Sequence, residues 1–325
     1  MANREEAENE EYERLKNSKF KQQKLPGWRP VPTITSTTII FFCFGAVFIV
    51  LGIIILIFSN QIEEVSFRYD DVCYKQWKDN PNDKSCIIDI EIKKDMERKI
   101  MIYYQLNGFY QNHRRYVKSK SDSQLNGVDI SLEEMKDSQD CDPAVTNKDM
   151  DQKVSIDGTP LNPEDVAIPC GLIAKSYFND KFTDWEIIEK DGSSKTFEPN
   201  CTNIAWKADK ELKYKNIDFK RQWINMTDEH FIVWMRPAGL PNFRKLWGRI
   251  DDRDLKQGTK VRVKITDNFD VSAFSGKKFL ILSTVNAFGG KNSFLGISYI
   301  VLGAISIILA VVFIIGYNIH TKKNK

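Results

Sequence analysis

The chain has few of the residues from which metal and catalytic sites are usually built. It contains only three histidines, His113, His230 and His320, and no Cys-x-x-Cys or His-x-x-x-His pair. Because a zinc site needs about four ligands, usually with two at short spacing, we expect no metal site. The run over residues 289–292 resembles a phosphate-binding loop, but Val285 stands where that loop needs a glycine. No motif indicates an enzyme.

An excess of charge of one sign is also missing. The 325 residues carry 47 Lys and Arg against 44 Asp and Glu, a formal net charge of +3. Since proteins that bind nucleic acid usually present a strongly basic face, we expect no nucleic-acid partner.

Two long apolar runs, over residues 39–58 and 294–319, contain no Asp, Glu, Lys, Arg or His. A helix of about 20 residues spans the hydrocarbon core of a bilayer, so the sequence predicts two transmembrane helices. The predicted organisation is a cytosolic tail over 1–33, transmembrane helix 1 over 34–59, an extracytosolic domain over 60–291, transmembrane helix 2 over 292–319 and a cytosolic tail over 320–325.

The distribution of basic residues predicts the orientation. Residues 14–29 contain six basic residues and no acidic one, and Lys322, Lys323 and Lys325 follow the second apolar run. Loops rich in Lys and Arg stay in the cytosol, so we expect both termini there. The predicted location is the secretory pathway: endoplasmic reticulum, Golgi, endosome or plasma membrane.

The middle segment carries further signs of an extracytosolic location. Asn200 and Asn225 each begin an Asn-x-Thr acceptor pattern, and we expect glycans on both. An oxidising compartment would also pair some of the cysteines in this segment, and several pairings are open. Cys43, inside the first apolar run, is interpreted as a small buried apolar residue. The cysteines of the middle segment are Cys73, Cys86, Cys141, Cys170 and Cys201.

Hydrophobic periodicity predicts that β structure dominates the middle segment. Residues 260–266 alternate with period two, as a half-buried strand does. Residues 279–285, 99–106 and 231–235 are further predicted strands. Residues 242–250 are predicted to form a short helix, since Phe243, Leu246, Trp247 and Ile250 would share one face. Residues 289–292 are predicted to be a flexible joint before the second apolar run.

Glycines recur seven residues apart in both apolar runs, as Gly45 with Gly52 and Gly296 with Gly303. This spacing places each pair on one helix face, where another helix can approach closely. The partner is either the other transmembrane helix or a larger membrane protein.

The cationic block over residues 111–116 also leaves two interpretations open. Arg114 and Arg115 suit an anion or a lipid headgroup, because guanidinium groups match phosphate geometry. The alternative, which we favour, is a structural network in which the arginines stack on tyrosines and pair with carboxylates.

Several long blocks of sequence, in order along the chain, resemble one family. They lie at 20–30 (Phe-Lys-Gln-Gln-Lys-Leu-Pro-Gly-Trp-Arg-Pro), 103–119, 169–180, 231–236, 240–246 and 289–296. Together they are similar to the cell-division-cycle protein fifty family, also called ligand-effect modulators. These proteins are the accessory (β) subunits of type IV P-type ATPases, the lipid flippases.

The resemblance implies an antiparallel, β-rich (α+β) extracytosolic domain with disulfides, flanked by two transmembrane helices. By position it implies the bridges Cys73–Cys86 and Cys141–Cys170, with Cys201 left without a mate. It implies a non-catalytic subunit without cofactors, since ATP and magnesium belong to the ATPase partner. That partner would need this chain for folding, export from the endoplasmic reticulum and phospholipid movement to the cytosolic leaflet.

Partner-docking candidates are the residues that flank or line the transmembrane helices, together with the two arginines of the cationic block. Membrane lipids are expected neighbours as well. The alternative function is a subunit of a two-span ligand-gated ion channel, a class with the same topology but usually with more ectodomain cysteines. The docking candidates are Trp28, Arg29, Gly45, Gly52, Arg114, Arg115, Gly296 and Gly303.

Overall fold

The computed structural model describes residues 12–24, 27, 32–78, 83–97, 99–286 and 288–323. These residues form two compact units. The first contains the described residues up to Ile54 and those from Phe294 onward, and the second is Ile55–Ser293.

The secondary structure is mixed. Residues 12–17 are helical, and Ser272–Phe274 form a single 3-10 turn. The helices α1–α9 are Ile34–Asn60, Asp70–Trp77, Arg114–Lys118, Asp122–Leu125, Leu132–Ser138, Leu172–Lys175, Lys207–Leu212, Glu229–Trp234 and Ser293–Lys323. The strands β1–β8 are Glu64–Arg68, Ser85–Glu91, Ile100–Asn107, Lys181–Ile188, Ser194–Thr196, Phe243–Ile250, Lys260–Thr266 and Lys277–Ser283.

Helices α1 and α9 make up most of the first unit. They contain 27 and 31 residues, so each is long and apolar enough to cross a membrane. Only 11% of the most hydrophobic 18-residue window of each helix is buried within the protein. A core helix of a soluble domain would be mostly buried, so this exposure fits a two-span membrane protein.

The four glycines lie where α1 and α9 pack against each other. A methyl group added at Gly45 would lie 2.8 Å from the carbonyl oxygen of Gly303, and one added at Gly52 would lie 2.8 Å from that of Gly296. Only hydrogen fits such a gap, so the glycines allow the two backbones to approach closely. Of the two partners that the sequence left open, these glycine faces meet the other helix of the same chain.

Cys43 shows the opposite placement. Its side chain is exposed on α1, so the prediction that it is buried was wrong. Two residues correspond to about 200° around a helix, which turns Cys43 away from the face that holds Gly45.

The second unit contains two four-stranded antiparallel sheets. Sheet A has the strand order β1-β8-β3-β6, and sheet B has the order β2-β7-β4-β5. Alternate residues of both sheets, such as Ile102 on β3 and Val263 on β7, are buried in one continuous apolar cluster. The predicted fold class, a β-rich antiparallel domain with disulfides between two apolar helices, is confirmed.

The first and last strands of the domain are neighbours in sheet A. Glu64, the first residue of β1, lies opposite Ser283, the last residue of β8, so the chain enters and leaves the domain at the same end of sheet A. The side-chain oxygens of Ser59 and Ser293 lie 3.5 Å apart. Near them, Asn286 donates to the carbonyl of Phe58 at 2.8 Å. The predicted flexible joint over residues 289–292 therefore lies between two residues, Asn286 and Ser293, that contact the end of α1.

Three predicted strands are confirmed, at β3, β7 and β8, whereas the strand predicted over residues 231–235 is wrong. Those residues belong to helix α8, whose N-cap is Asp228. The Asp228 carboxylate accepts hydrogen bonds from the backbone N–H groups of His230 at 2.8 Å and Phe231 at 3.1 Å. Periodicity alone cannot distinguish a short apolar run in a helix from one in a strand, and the cap decides it here.

The helix predicted over residues 242–250 is also wrong, because Phe243–Ile250 form strand β6. Its pairing with β3 shifts register between Ile102 and Tyr103, which disturbs the usual alternation. The buried Lys245 stands where an alternating strand would carry an apolar residue. The remaining apolar residues therefore matched a helix face better than a strand. The described stretch between α5 and α6 contains isolated bridges and no strand or helix.

We expect Gly303→Leu to separate α1 from α9, because a side chain there would collide with Gly45 O and Ile49 Cγ1. The measurement is disulfide formation between cysteines introduced at Phe48 and Tyr299, whose ring centroids lie 5.4 Å apart. Crosslinking should fall sharply in this variant. Gly316→Leu is the matched control, since no atom lies within 4 Å of the added methyl. Equal crosslinking in both variants would contradict the packing.

Candidate functional site

Two disulfides crosslink the second unit. Cys73 on α2 is bonded to Cys86 on β2, and Cys141 is bonded to Cys170, which is the pairing that the resemblance implied. The bridged residues are 13 and 29 positions apart, so each bridge stabilises the fold by about 3 kcal/mol through loop closure. Cys201 has a free thiol, and burial raises its pKa.

A buried ionic cluster lies between the two sheets. Lys278 on β8 of sheet A has only 1% of its side chain exposed. Its ammonium donates to Asp180 Oδ2 at 2.7 Å, to the Phe269 carbonyl at 2.6 Å and to Asp267 Oδ1. Asp180 directly precedes β4 and Asp267 directly follows β7, so the lysine of one sheet holds carboxylates at the strand ends of the other.

The remaining bonds of the cluster satisfy its carboxylates. Asp180 accepts from the Tyr69 hydroxyl at 2.8 Å, and its other oxygen accepts two backbone N–H groups. Burial, with the Asp180 charge, raises the pKa of Tyr69 well above its ordinary value, so the phenol stays a donor. Trp77 Nε1 donates to Asp267 at 2.9 Å. One ammonium thus serves two carboxylates, and burial raises the pKa of Asp180.

A second buried lysine has no carboxylate partner among the residues that the structure describes. Lys245 is 7% exposed, and its ammonium donates to the carbonyls of Val233, Trp234 and Arg236 at 2.6–2.9 Å. Burial lowers its pKa to about 7, and the Arg236 cation acts in the same direction. The three carbonyls match the three N–H groups of the ammonium, so Lys245 fixes the end of α8 and the loop that follows.

The cationic block divides into a structural part and an exposed part. Gln111 is fully buried, and the hydroxyls of Tyr116 and Ser176 form a hydrogen bond of 2.7 Å. Arg114 and Arg115 lie on α3 and are exposed. Neither arginine forms an ion pair or a cation–π contact with any residue that the structure describes. The structural network therefore accounts for Gln111 and Tyr116, while both guanidinium groups are available to another molecule.

A groove of about 800 Å³ opens beside these arginines. It is lined by His113, Arg115 and Lys118, with Leu172 and Asp142 on its other walls. Most of its lining is apolar, and the charged groups at its walls are Arg115, Lys118 and Asp142.

Both predicted glycosylation sites are exposed and have the same local geometry. The side-chain oxygen of Asn200 accepts from the Thr202 hydroxyl, and that of Asn225 accepts from the Thr227 hydroxyl, both at 2.7 Å. Asn225 Oδ1 also accepts from Asn216 Nδ2 at 2.8 Å, whereas the amide nitrogen of Asn200 donates to Asp251 at 3.0 Å.

Two docking candidates, Trp28 and Arg29, lie outside the described residues. Over the part of the chain that is described, no three His, Cys, Asp or Glu side chains are grouped so as to hold a metal ion.

Comparison with known proteins identifies the family. The model of the LEM3 (ligand-effect modulator 3) family / CDC50 family matches residues 55–323. The chain belongs to the LEM3/CDC50 family. A relative named putative ALA-interacting subunit 2, from Arabidopsis thaliana, is 41% identical over 91% of this chain and 86% of its own length. Cell cycle control protein 50A from Mus musculus is 36% identical over 92% of this chain and 88% of its own length.

LEM3/CDC50 proteins are the β subunits of lipid flippases and are not catalytic. Membership therefore confirms the resemblance and makes this chain an accessory subunit rather than an enzyme.

Sequence reasoning missed the buried cations Lys245 and Lys278. One signal was present for Lys278, because it shares the inward period of β8 with Leu280 and Leu282. No comparable signal marked Lys245, whose partners are backbone carbonyls of α8.

We expect Lys278→Met to destabilise the domain by about 3–5 kcal/mol, because Asp180 and Asp267 would remain buried without a cation. The measurement is thermal or denaturant unfolding of the purified chain. Lys277→Met changes the exposed neighbour on the same strand and should have little effect. If the two variants unfolded alike, Lys278 would not join the sheets.

Proposed function

We propose that this chain is the accessory subunit of a type IV P-type ATPase that moves phospholipid from the exoplasmic to the cytosolic leaflet. Family membership over residues 55–323 carries the proposal. The two apolar helices support it, since they fit a subunit that is placed beside a membrane-embedded ATPase. Membership also removes the reason to prefer a ligand-gated channel, the alternative drawn from topology alone.

In this proposal both termini are cytosolic and the two-sheet domain is extracytosolic, in the endoplasmic reticulum, Golgi, endosome or plasma membrane. The basic residues beside both apolar helices support this orientation. The exposed Asn225 and Asn200 side chains would carry glycans on that side. The disulfides support it as well, because they form in oxidising compartments.

The chain would assist the ATPase in folding, in export from the endoplasmic reticulum and in turnover. ATP and magnesium would bind the ATPase and not this subunit. A rigid external domain suits such a role, because a preorganised surface loses little entropy when it binds.

The docking candidates divide between the two units. Gly45, Gly52, Gly296 and Gly303 would act indirectly, by holding α1 against α9 so that their outer faces meet the ATPase or lipid. Arg114 and Arg115 would contact carboxylates on the extracytosolic side of the ATPase, since neither has a partner among the residues described. Trp28 and Arg29 stay candidates for contact near the cytosolic face.

The first test is co-purification in mild detergent. We expect the full chain to recover a P-type ATPase, identified by mass spectrometry, whose ATP hydrolysis is stimulated by phospholipid. Recovery of no P-type ATPase, or a ligand-evoked current from this chain expressed alone, would contradict the proposal.

The second test reverses the exposed charges. We expect Arg114→Glu with Arg115→Glu to weaken recovery of the ATPase most strongly at low salt, because attraction would become a repulsion that added salt screens. Lys195→Glu with Lys220→Glu is the control, since both lysines are exposed and the change in net charge is the same. Equal losses in the two double variants would mean that α3 is not the docking face.

A further inference from the structure

A pocket of about 600 Å³ opens between helix α2 and the segment that joins β7 to β8. One wall is a single face of α2, because Asp70, Tyr74 and Trp77 recur at spacings of four and three residues. The other wall is formed by residues 267–272 and 275–278. The volume is typical of a site for a small ligand, and the proposed accessory role assigns no ligand to it.

The ionic cluster around Lys278 holds both walls in place. The backbone N–H of Lys278 donates to Asp70 Oδ1 at 2.9 Å, which ties the start of α2 to β8. On the facing wall, the backbone N–H of Phe269 donates to Asp180 Oδ1 at 2.6 Å. Asp180 in turn accepts from the Lys278 ammonium, so the pocket is preorganised and loses little entropy when a ligand binds.

Two aromatic rings line the pocket. The Tyr74 and Trp77 rings meet edge to face, with their centroids 5.3 Å apart. Trp77 is fixed in place, because its Nε1–H donates to Asp267 Oδ2 at 2.9 Å. The Tyr74 side chain is 57% exposed, so a ligand can pack against its ring. The pocket therefore presents one supported aromatic surface to solvent.

The charges that line the pocket cancel, which disfavours an ion of either sign as the ligand. A cationic ligand would also compete with Lys84, whose ammonium already lies 5.4 Å from the centre of the Trp77 ring. The lining therefore favours a ligand that is neutral and polar. Its basic residues are Arg68, Lys84, Lys277 and Lys278. Its acidic residues are Asp70, Asp71, Asp267 and Asp270.

Polar groups of the lining have hydrogen-bonding capacity to spare. The Tyr74 hydroxyl and the Lys277 ammonium form no hydrogen bond or ion pair with any residue that the structure describes. Asp71 Oδ1 receives no hydrogen bond from the described residues either, and Oδ2 lies 3.9 Å from Arg68 Nη1. Asp71 and Tyr74 are three positions apart, so they lie on one face of α2. A ligand that packs on the Tyr74 ring can therefore both donate and accept hydrogen bonds.

We propose that this pocket binds a hexopyranose, the six-membered ring of a neutral sugar. A pyranose has a face of C–H groups, which packs on the electron-rich face of an aromatic ring, and a rim of hydroxyls that donate and accept hydrogen bonds. Tyr74 would contact the C–H face, while Asp71 accepts from one hydroxyl and Lys277 donates to another. The sugar can belong to an oligosaccharide of a glycoprotein or to a glycolipid headgroup, since both carry pyranose rings. The proposal rests on the pocket alone, so it stands or falls separately from the flippase role.

The test is saturation-transfer NMR of the purified full chain, deglycosylated and held in a detergent that has no sugar headgroup. The probes are the methyl pyranosides of glucose, galactose, mannose and N-acetylglucosamine, with sorbitol and phosphocholine as controls. We expect transfer to the C–H protons of at least one pyranoside and none to sorbitol, which has hydroxyls but no ring face. Phosphocholine, which carries both charges, should not bind either.

Variants show whether the signal comes from this pocket. Tyr74→Ala should weaken binding about tenfold, because the contact with the ring is lost, whereas Tyr74→Phe keeps the ring and should lose little. Tyr110→Ala is the matched control, since this side chain is 63% exposed and does not line the pocket. Thermal unfolding checks that each variant is folded.

Transfer to none of the pyranosides, stronger binding of sorbitol or phosphocholine, or equal binding by the Tyr74→Ala and Tyr110→Ala variants would overturn the proposal. The source of the sugar is tested with the chain in phosphatidylcholine vesicles, with and without glucosylceramide and galactosylceramide. A glycolipid source predicts that these lipids suppress transfer to the soluble pyranosides, and an oligosaccharide source predicts no change. Either result supports a sugar site and identifies where its ligand comes from.

Discussion

Strand β1 follows α1 and pairs along its whole length with β8, the last strand before α9. This pairing brings the start and the finish of the domain to the same end of sheet A, where the side-chain oxygens of Ser59 and Ser293 lie 3.5 Å apart. A chain that enters and leaves a domain at the same end of a sheet can connect to two antiparallel apolar helices without a long linker. The glycine contacts then let those helices pack directly against each other.

Two buried lysines add polar contacts to the apolar core of the domain. Lys278 joins sheet A to strand ends of sheet B, and Lys245 joins β6 to the end of α8. Both ammonium groups have all their donors satisfied, so they add directional constraints that an apolar core lacks.

Regular periodicity made part of this architecture predictable from the sequence. The alternation in β3 and β7 and the two apolar helices followed from it, and the glycine spacing indicated close helix packing. Helix α8 and strand β6 were not predictable, because an Asp228 cap and a buried Lys245 decide them. The loops over residues 108–112 and 237–242 are hydrogen-bonded to each other although they lie about 130 positions apart in the sequence. Their placement depends on the register shift between Ile102 and Tyr103. The family resemblance supplied the disulfide pairing, which cysteine spacing alone left open.

The central claim is that the chain crosses the membrane twice and presents its domain outside, with both ends in the cytosol. The most direct measurement is protease and antibody access to N- and C-terminal tags in sealed, right-side-out vesicles. The account predicts that both tags are protected while the domain is accessible and sensitive to glycosidase. Tags on opposite faces, or a domain protected together with both tags, would contradict it.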